Sequence, residues 1–94
     1  MARALWNGVV IADSARVRVV DGYTYFPPDA VRRDLLRPTA TTTRCGWKGT
    51  ASYFDLDADG RINKDCAWTY PTTSEAARSI EGWIGFWRGV TIEG

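Results

Sequence analysis

Residues 49–70, GTASYFDLDADGRINKDCAWTY, decide the fold because they contain the clearest β-hairpin of the chain. Two stretches rich in aromatic and β-branched residues flank Asp57-Ala58-Asp59-Gly60, a typical turn sequence. If Leu56 pairs with Arg61, Gly49 lies opposite Trp68, and the missing side chain leaves room for the indole. The period of two then places Cys66, Trp68 and Tyr70 on one strand face.

The residues around this hairpin also predict mainly short antiparallel strands. Residues 4–26 indicate a meander with tight turns at Asn7-Gly8 and Asp21-Gly22. Two short helices are expected, at 29–36 and 75–81, the second capped by Thr73-Ser74. Residues 83–92 predict a final strand that is interrupted at Arg88-Gly89. The fold class is therefore mostly β with a minor helical part.

Size and composition limit the classes of function. Ninety-four residues suit one domain over residues 1–94, with five Trp, four Tyr and three Phe to fill its core. A net charge of +1 predicts neither a nucleic-acid nor a membrane partner, and no apolar run is long enough to span a bilayer. No signal peptide is recognisable, so we expect a cytoplasmic protein with two free thiols. The chain has no histidine, which removes His-based catalytic dyads.

Residues 55–62, DLDADGRI, resemble the first eight positions of a calcium-binding helix-loop-helix loop. The twelfth position, where such a loop needs a bidentate Glu, is Cys66, and the flanks are typical of strands. We therefore interpret Asp55, Asp57 and Asp59 as a solvated turn. A weak Ca²⁺ site is the alternative, and the sequence predicts no metal site and no cofactor.

The segment Thr41–Tyr53 contains the best candidates for chemistry. Cys45 lies between Arg44 and Lys48, and such a positive field favours the thiolate. Cations beside hydroxyl groups such as that of Thr43 also suit a carboxylate or a phosphate. The alternatives are a buried apolar role for Cys45, a solvated Lys48, and a core position for Cys66. Two aromatic residues of the hairpin, Trp68 and Tyr70, are either core residues or a stacking platform.

Several of these segments together resemble a bacterial family known as domain of unknown function 427, sometimes labelled nucleotidyltransferase-like. The resemblance extends over nearly the whole chain. It rests on Trp6-Asn7-Gly8, Ile11-Ala12, Tyr25-Phe26-Pro27-Pro28, Thr43, Cys45, Trp47–Tyr53, Asn63-Lys64-Asp65, Ala67-Trp68, Tyr70-Pro71, Ala76-Ala77, Ile80 and Phe86-Trp87.

The resemblance implies a β-tent-like arrangement of two antiparallel sheets. The family's Cys-x-x-Lys-Gly motif corresponds to Cys45, Lys48 and Gly49. Its aromatic segment corresponds to Trp68-Thr69-Tyr70-Pro71. The zinc site of related β-tent proteins is built from cysteine pairs, which this chain lacks. The carboxylate set and the phosphate-binding loop of a nucleotidyltransferase cannot be assembled from this sequence either.

Three hypotheses for the function follow from these residues. The first is a binding domain for a small molecule, for example an anion, in a pocket between the sheets. The residues expected to bind this ligand are Thr43, Cys45, Lys48, Tyr53, Trp68 and Tyr70. The second is an enzyme that uses Cys45 as a nucleophile or redox centre. The third is an interaction module, for example a homodimer formed through an exposed edge strand or through surplus aromatic surface.

Overall fold

Nine β-strands make up most of the structure, a computed structural model that describes all residues from Met1 to Gly94. The strands are β1 (Ala2–Trp6), β2 (Val9–Ser14), β3 (Arg18–Val20), β4 (Tyr23–Phe26), β5 (Leu36–Cys45), β6 (Gly49–Ala58), β7 (Arg61–Thr69), β8 (Ile84–Phe86) and β9 (Thr91–Glu93). No helix of the structure has the length and apolar character needed to cross a bilayer.

The strands form two antiparallel sheets, which confirms the predicted fold class. The small sheet has the order β2-β1-β9, and the large sheet has the order β3-β4-β8-β7-β6-β5. The predicted N-terminal meander is therefore divided between the sheets, because β1 and β2 belong to one and β3 and β4 to the other. Likewise, the predicted final strand is two strands, which separate at Arg88 and Gly89 and enter different sheets.

The central hairpin is present, but its register differs from the prediction. Ala58 pairs with Arg61, so the turn is only Asp59-Gly60, and Tyr53 pairs with Trp68. Both turn residues have positive φ angles, 53° and 77°, as a tight hairpin turn of this hand requires. A register shift between Phe54 and Leu56 then offsets the rest of the ladder.

This shift changes which residues face each other. The glycine opposite Trp68 is Gly85 of β8, not Gly49. Cys66 belongs to the core between the sheets, whereas Trp68 belongs to a second cluster. The prediction that both share one strand face is therefore wrong, since Cys66 lies in the unpaired stretch between Asn63 and Ala67, where Asp65 has a φ of 52° and the strand alternation is broken, whereas Trp68 lies in the paired part.

In place of the predicted helices the structure has only short 3-10 segments. The predicted helix at 29–36 overlaps two of them, Pro28–Ala30 and Arg33–Leu35, and Leu36 already begins β5. Residues Glu75–Ile80 form the third, and the side chain of its cap residue Ser74 does not bond to the turn's backbone. Ser74 instead donates its hydroxyl hydrogen bond to the carbonyl oxygen of Trp47.

The carboxylates of the Asp55–Asp59 segment do not converge on one point, and no group of three His, Cys, Asp or Glu residues could hold a metal ion. Asp55 Oδ1 accepts a hydrogen bond from the backbone N–H of Asp65 at 2.8 Å. Asp57 lies 3.8 Å from Arg37 in an exposed ion pair. The segment thus continues β6 into the tight turn.

The large sheet carries apolar residues on both faces, which determines where a site can form. One cluster lies between the sheets and includes Ile11, Phe26, Leu56 and Phe86. The second cluster consists of Tyr25, Ala51, Tyr53, Trp68, Tyr70, Ala77 and Ile80. Strand alternation puts Tyr25 and Phe26 on opposite faces, so the second cluster lies on the face away from the small sheet. There it is covered in part by the Glu75–Ile80 turn.

Candidate ligand-binding site

A cavity of about 150 Å³ opens on the second cluster. It is therefore on the outer face of the large sheet and not between the sheets as predicted. Its walls come from three strands and four loop segments: Asp21, Tyr23, Tyr25, Lys48, Tyr53, Trp68, Tyr70 and Trp87. Six of these eight residues are aromatic.

Trp68 is the centre of the aromatic wall. The centroid of its ring lies 5.0 Å from that of Tyr23 and 6.0 Å from that of Tyr25, both edge-on, and 5.7 Å from that of Trp87. These distances and angles are those that aromatic pairs prefer. Tyr53 contacts both indoles at 6.2 and 6.4 Å. The wall is consequently well packed before any ligand arrives.

The approach of Trp68 to Tyr25 depends on Gly85, which pairs with Tyr25 on one side and Trp68 on the other. A methyl group at Gly85 would lie 2.9 Å from Trp68 Cζ2 and 3.2 Å from Tyr25 Cε2. The absent side chain lets Trp68 Nε1 donate a hydrogen bond to the Tyr25 hydroxyl at 3.2 Å across the intervening strand.

The buried tyrosine hydroxyls differ in their hydrogen bonding. The Tyr25 hydroxyl accepts from Trp68, and that of Tyr53 bonds to Thr43 Oγ1 at 3.1 Å. Tyr70 is only 7% exposed, and no protein group bonds to its hydroxyl. Since no fully buried polar atom lacks a partner, this hydroxyl is not fully buried, and Tyr70 is one of the residues that line the cavity. Burial raises the pKa of Tyr70, so it remains a neutral donor.

Lys48 is the buried charged group of the cavity wall and is only 6% exposed. Its ammonium donates to Asp21 Oδ2 at 2.5 Å and to Cys45 Sγ at 3.3 Å. It also lies 4.6 Å from the Trp47 ring centre and 5.8 Å from that of Tyr70. Burial alone lowers the pKa of Lys48, but the bonds to Asp21 and Cys45 outweigh it and the pKa is raised. Lys48 is therefore a fixed positive charge.

Backbone contacts with the segment from Thr72 to Ser74 hold Lys48 in place. Its carbonyl oxygen accepts a hydrogen bond from the N–H of Ser74 at 3.1 Å, and Gly49 bridges to Thr73. Gly49 has a φ of +128°, and a Cβ there would lie 2.7 Å from the carbonyl oxygen of Thr72. The glycine after Lys48 is thus required for this close approach.

The two cysteines have opposite environments. The backbone N–H groups of Trp47 and Lys48, helped by the Lys48 ammonium, lower the pKa of the half-buried Cys45. Burial raises the pKa of Cys66 to about 11. Cys45 accepts a hydrogen bond from Lys48 but does not line the cavity.

The structure brings most of the predicted site residues together. Lys48, Tyr53, Trp68 and Tyr70 line the cavity. Thr43 and Cys45 support it by bonding to Tyr53 and Lys48.

The sequence analysis missed the other four lining residues, Asp21, Tyr23, Tyr25 and Trp87. Tyr23 and Tyr25 could have been found, because an i, i+2 pair directly after a turn shares one strand face. Asp21 was treated only as a turn residue. No local signal identifies Trp87, whose position depends on the pairing of β7 with β8.

Comparison with protein families matches residues 1–93 to the family described as domain of unknown function (DUF427). A comparison with curated proteins finds no match. The matched range includes every residue of the cavity wall and the Cys45, Lys48 and Gly49 motif. The chain therefore belongs to the DUF427 family, as its sequence motifs predicted.

Proposed function

We propose that this protein is a binding domain for a small organic molecule about the size of one ring. The observation that carries the proposal is an aromatic cavity with a buried, positively charged lysine in its wall. Cavities of about 150 Å³ hold one benzene ring. Ring-sized ligands would add stacking and edge-on contacts to rings that are already positioned.

The buried ammonium of Lys48 argues against a cationic ligand, because the only carboxylate of the wall, that of Asp21, is already paired with it. A ligand cation would seek the ring faces, but the ammonium of Lys48 already lies over the rings of Trp47 and Tyr70. A second cation beside it would be repelled. Neutral and anionic ligands are compatible with Lys48, and the anionic ligand that the sequence suggested remains part of the proposal.

Thermal unfolding and tryptophan fluorescence in the presence of ring-sized acids, amides and amines test this function. We expect acids or amides to raise Tm, because a ligand at 100 times its Kd adds about 2.7 kcal/mol of stability. Trp68 and Trp87 line the cavity, so their emission should change. Amines should have no effect. If none of these compounds changes Tm or fluorescence at millimolar concentration, the proposal fails.

Two variants provide a matched comparison. Lys48→Ala should remove the effect of acids. Lys64→Ala removes the only other lysine, which is exposed and outside the cavity, and should retain it. An equal loss in both variants would contradict the assignment of the site to Lys48.

A second candidate function is catalysis or redox chemistry by Cys45. The favouring observation is the Lys48 ammonium 3.3 Å from its sulfur, together with the lowered pKa. Thiolates are the reactive form of cysteine, so this environment favours a nucleophile. Cys45 does not line the cavity, which argues against a role for its thiol there.

Alkylation with iodoacetamide at neutral pH tests this candidate, with Cys66 as an internal control in the same molecule. We expect Cys45 to react faster than a free thiol and Cys66, which is fully buried, to stay unmodified until the protein unfolds. Peptide mass spectrometry distinguishes the two sites. A Cys45 rate no faster than that of a free thiol would remove this candidate.

The cytoplasm is the location we propose for this activity. Neither Cys45 nor Cys66 forms a disulfide, in keeping with a reducing compartment. Fractionation of cells that express the protein would check the location, and recovery outside the cytoplasm would contradict it.

A further inference from the structure

Asp21 and Lys48 form an ion pair in which the lysine is buried and the aspartate is exposed. The Lys48 side chain is 7% exposed and that of Asp21 is 54% exposed. A buried ammonium requires an anion nearby, whereas an exposed carboxylate can be hydrated instead. The pair therefore satisfies the lysine, and Asp21 can leave it at little cost if another anion takes its place.

The position of Asp21 in the chain makes such an exchange simple. Asp21 belongs to the two-residue turn that joins β3 and β4, at the outer edge of the large sheet. Lys48 is held by the Thr72–Ser74 segment on another part of the chain. Rotation of the Asp21 side chain would uncover Lys48 without changing the backbone that positions it.

A second donor is available beside Lys48. The Tyr70 hydroxyl has no protein partner and is not fully buried, Tyr70 lines the cavity, and the ammonium lies 5.8 Å from the centre of its ring. A carboxylate has two oxygens that accept hydrogen bonds, which suits one ammonium and one hydroxyl. The aromatic wall next to them suits a planar ring.

From this arrangement we infer that the ligand is a planar, ring-sized carboxylate whose acid group replaces that of Asp21 on Lys48 and accepts a hydrogen bond from Tyr70. The inference rests on the binding function proposed above. The exchange keeps one anion beside one buried cation. If both carboxylates stayed, they would repel each other beside a single ammonium.

Asp21 then acts as an internal competitor of the ligand. The apparent affinity of a site falls in proportion to the fraction of molecules in which it is free. If Asp21 occupies Lys48 in more than about nine-tenths of molecules, its removal tightens carboxylate binding at least about tenfold. A neutral amide of the same shape does not need the exchange, so its affinity should change less than about twofold.

Isothermal titration with benzoate and benzamide, two probes with the same ring, measures this competition. The variants are Asp21→Ala, Lys48→Met and the control Asp29→Ala. Asp29 is an exposed carboxylate paired with Arg16 outside the cavity, so its removal changes the net charge equally. We expect tighter benzoate binding only in Asp21→Ala and loss of benzoate binding, but not of benzamide binding, in Lys48→Met.

The outcomes separate the inference from the proposed function. If benzamide binds but benzoate does not, or if Asp21→Ala leaves benzoate affinity unchanged, the exchange is wrong and ring binding stands. If neither probe binds, the proposed function fails as well. Tightening in Asp29→Ala as large as in Asp21→Ala would show a nonspecific charge effect and also overturn the inference.

A measurement on the unaltered protein covers the case in which Asp21→Ala does not fold. Carboxylate ¹³C resonances report whether Asp21 still contacts Lys48 when benzoate is saturating. The exchange predicts that the Asp21 signal moves to that of a hydrated carboxylate with benzoate and stays unchanged with benzamide. An Asp21 signal that benzoate leaves unchanged would refute it.

Discussion

Substitution of Gly85 by alanine tests the packing that creates the aromatic wall. The new methyl carbon would lie 2.9 and 3.0 Å from two atoms of the Trp68 ring and 3.2 Å from Tyr25 Cε2. Neither neighbour can move aside easily, because Trp68 is 5% and Tyr25 1% exposed and the two share a hydrogen bond. Real Cβ atoms do not approach ring carbons this closely, so the rings or the strand must shift.

The magnitude follows from two opposing effects. Overpacking of a buried site costs about 1–3 kcal/mol. Because the backbone of Gly85 is not in the left-handed region, alanine also restricts the unfolded chain, which returns about 0.4–1 kcal/mol. We expect a net loss of about 1–2 kcal/mol. For a domain of this size, this corresponds to a Tm lower by about 4–16 °C.

Urea unfolding followed by tryptophan fluorescence would measure this loss. The matched control is Gly46→Ala, because a Cβ at Gly46 meets nothing within 4 Å and its φ is not positive. The control should be unchanged or slightly more stable. A Gly85→Ala protein as stable as the control would refute the assigned contact between Gly85, Trp68 and Tyr25, and with it the geometry of the cavity wall.

Three further predictions concern other parts of the molecule. Gly49→Ala should lower the free energy of unfolding in urea by more than about 3 kcal/mol, and so by more than Gly85→Ala, because a positive-φ backbone penalty is added to a 2.7 Å contact with the carbonyl oxygen of Thr72. An equal or smaller loss would contradict the bridge between Gly49 and Thr73. Between about pH 9 and pH 11 the unfolded chain loses the Cys66 proton while the folded protein keeps it, so the free energy of unfolding should fall by at most about 2 kcal/mol relative to that of Cys66→Ala. If the free energies of unfolding of the two proteins depend on pH in the same way, the raised pKa of Cys66 is refuted. The interaction hypothesis predicts a homodimer formed through the outer edge of β5, which sedimentation should detect and Thr42→Lys should disrupt. A monomer at every concentration would exclude this dimer.

Local signals in the sequence predicted the strands and turns well. Asn7-Gly8 and Asp21-Gly22 are turns with positive φ angles because few other dipeptides adopt them without strain. The central hairpin was also recognised, but its register was wrong. A strand pattern does not show where a bulge occurs, and the irregularity between Phe54 and Leu56 moved Trp68 opposite Tyr53.

The candidate site was only partly predictable because its residues come from separate strands. The motif around Lys48 identified one wall, and the aromatic segment identified Trp68 and Tyr70. Asp21 was not connected with Lys48, since the two residues are 27 positions apart and meet only through the order of strands in the large sheet. Sequence spacing contains no information on that order.

The pairing of β1 with β9 has a consequence for how the chain folds. Arg3 is the neighbour of Glu93 in the small sheet, so this sheet joins residues 90 positions apart. A loop of this length must close before the pairing contributes stability, and contacts of such separation slow folding. During synthesis, β1 and β2 can form a hairpin early, but the third strand arrives last. Until β9 pairs, the edge of β1 that faces it carries unpaired backbone groups, and such an edge can pair with other chains.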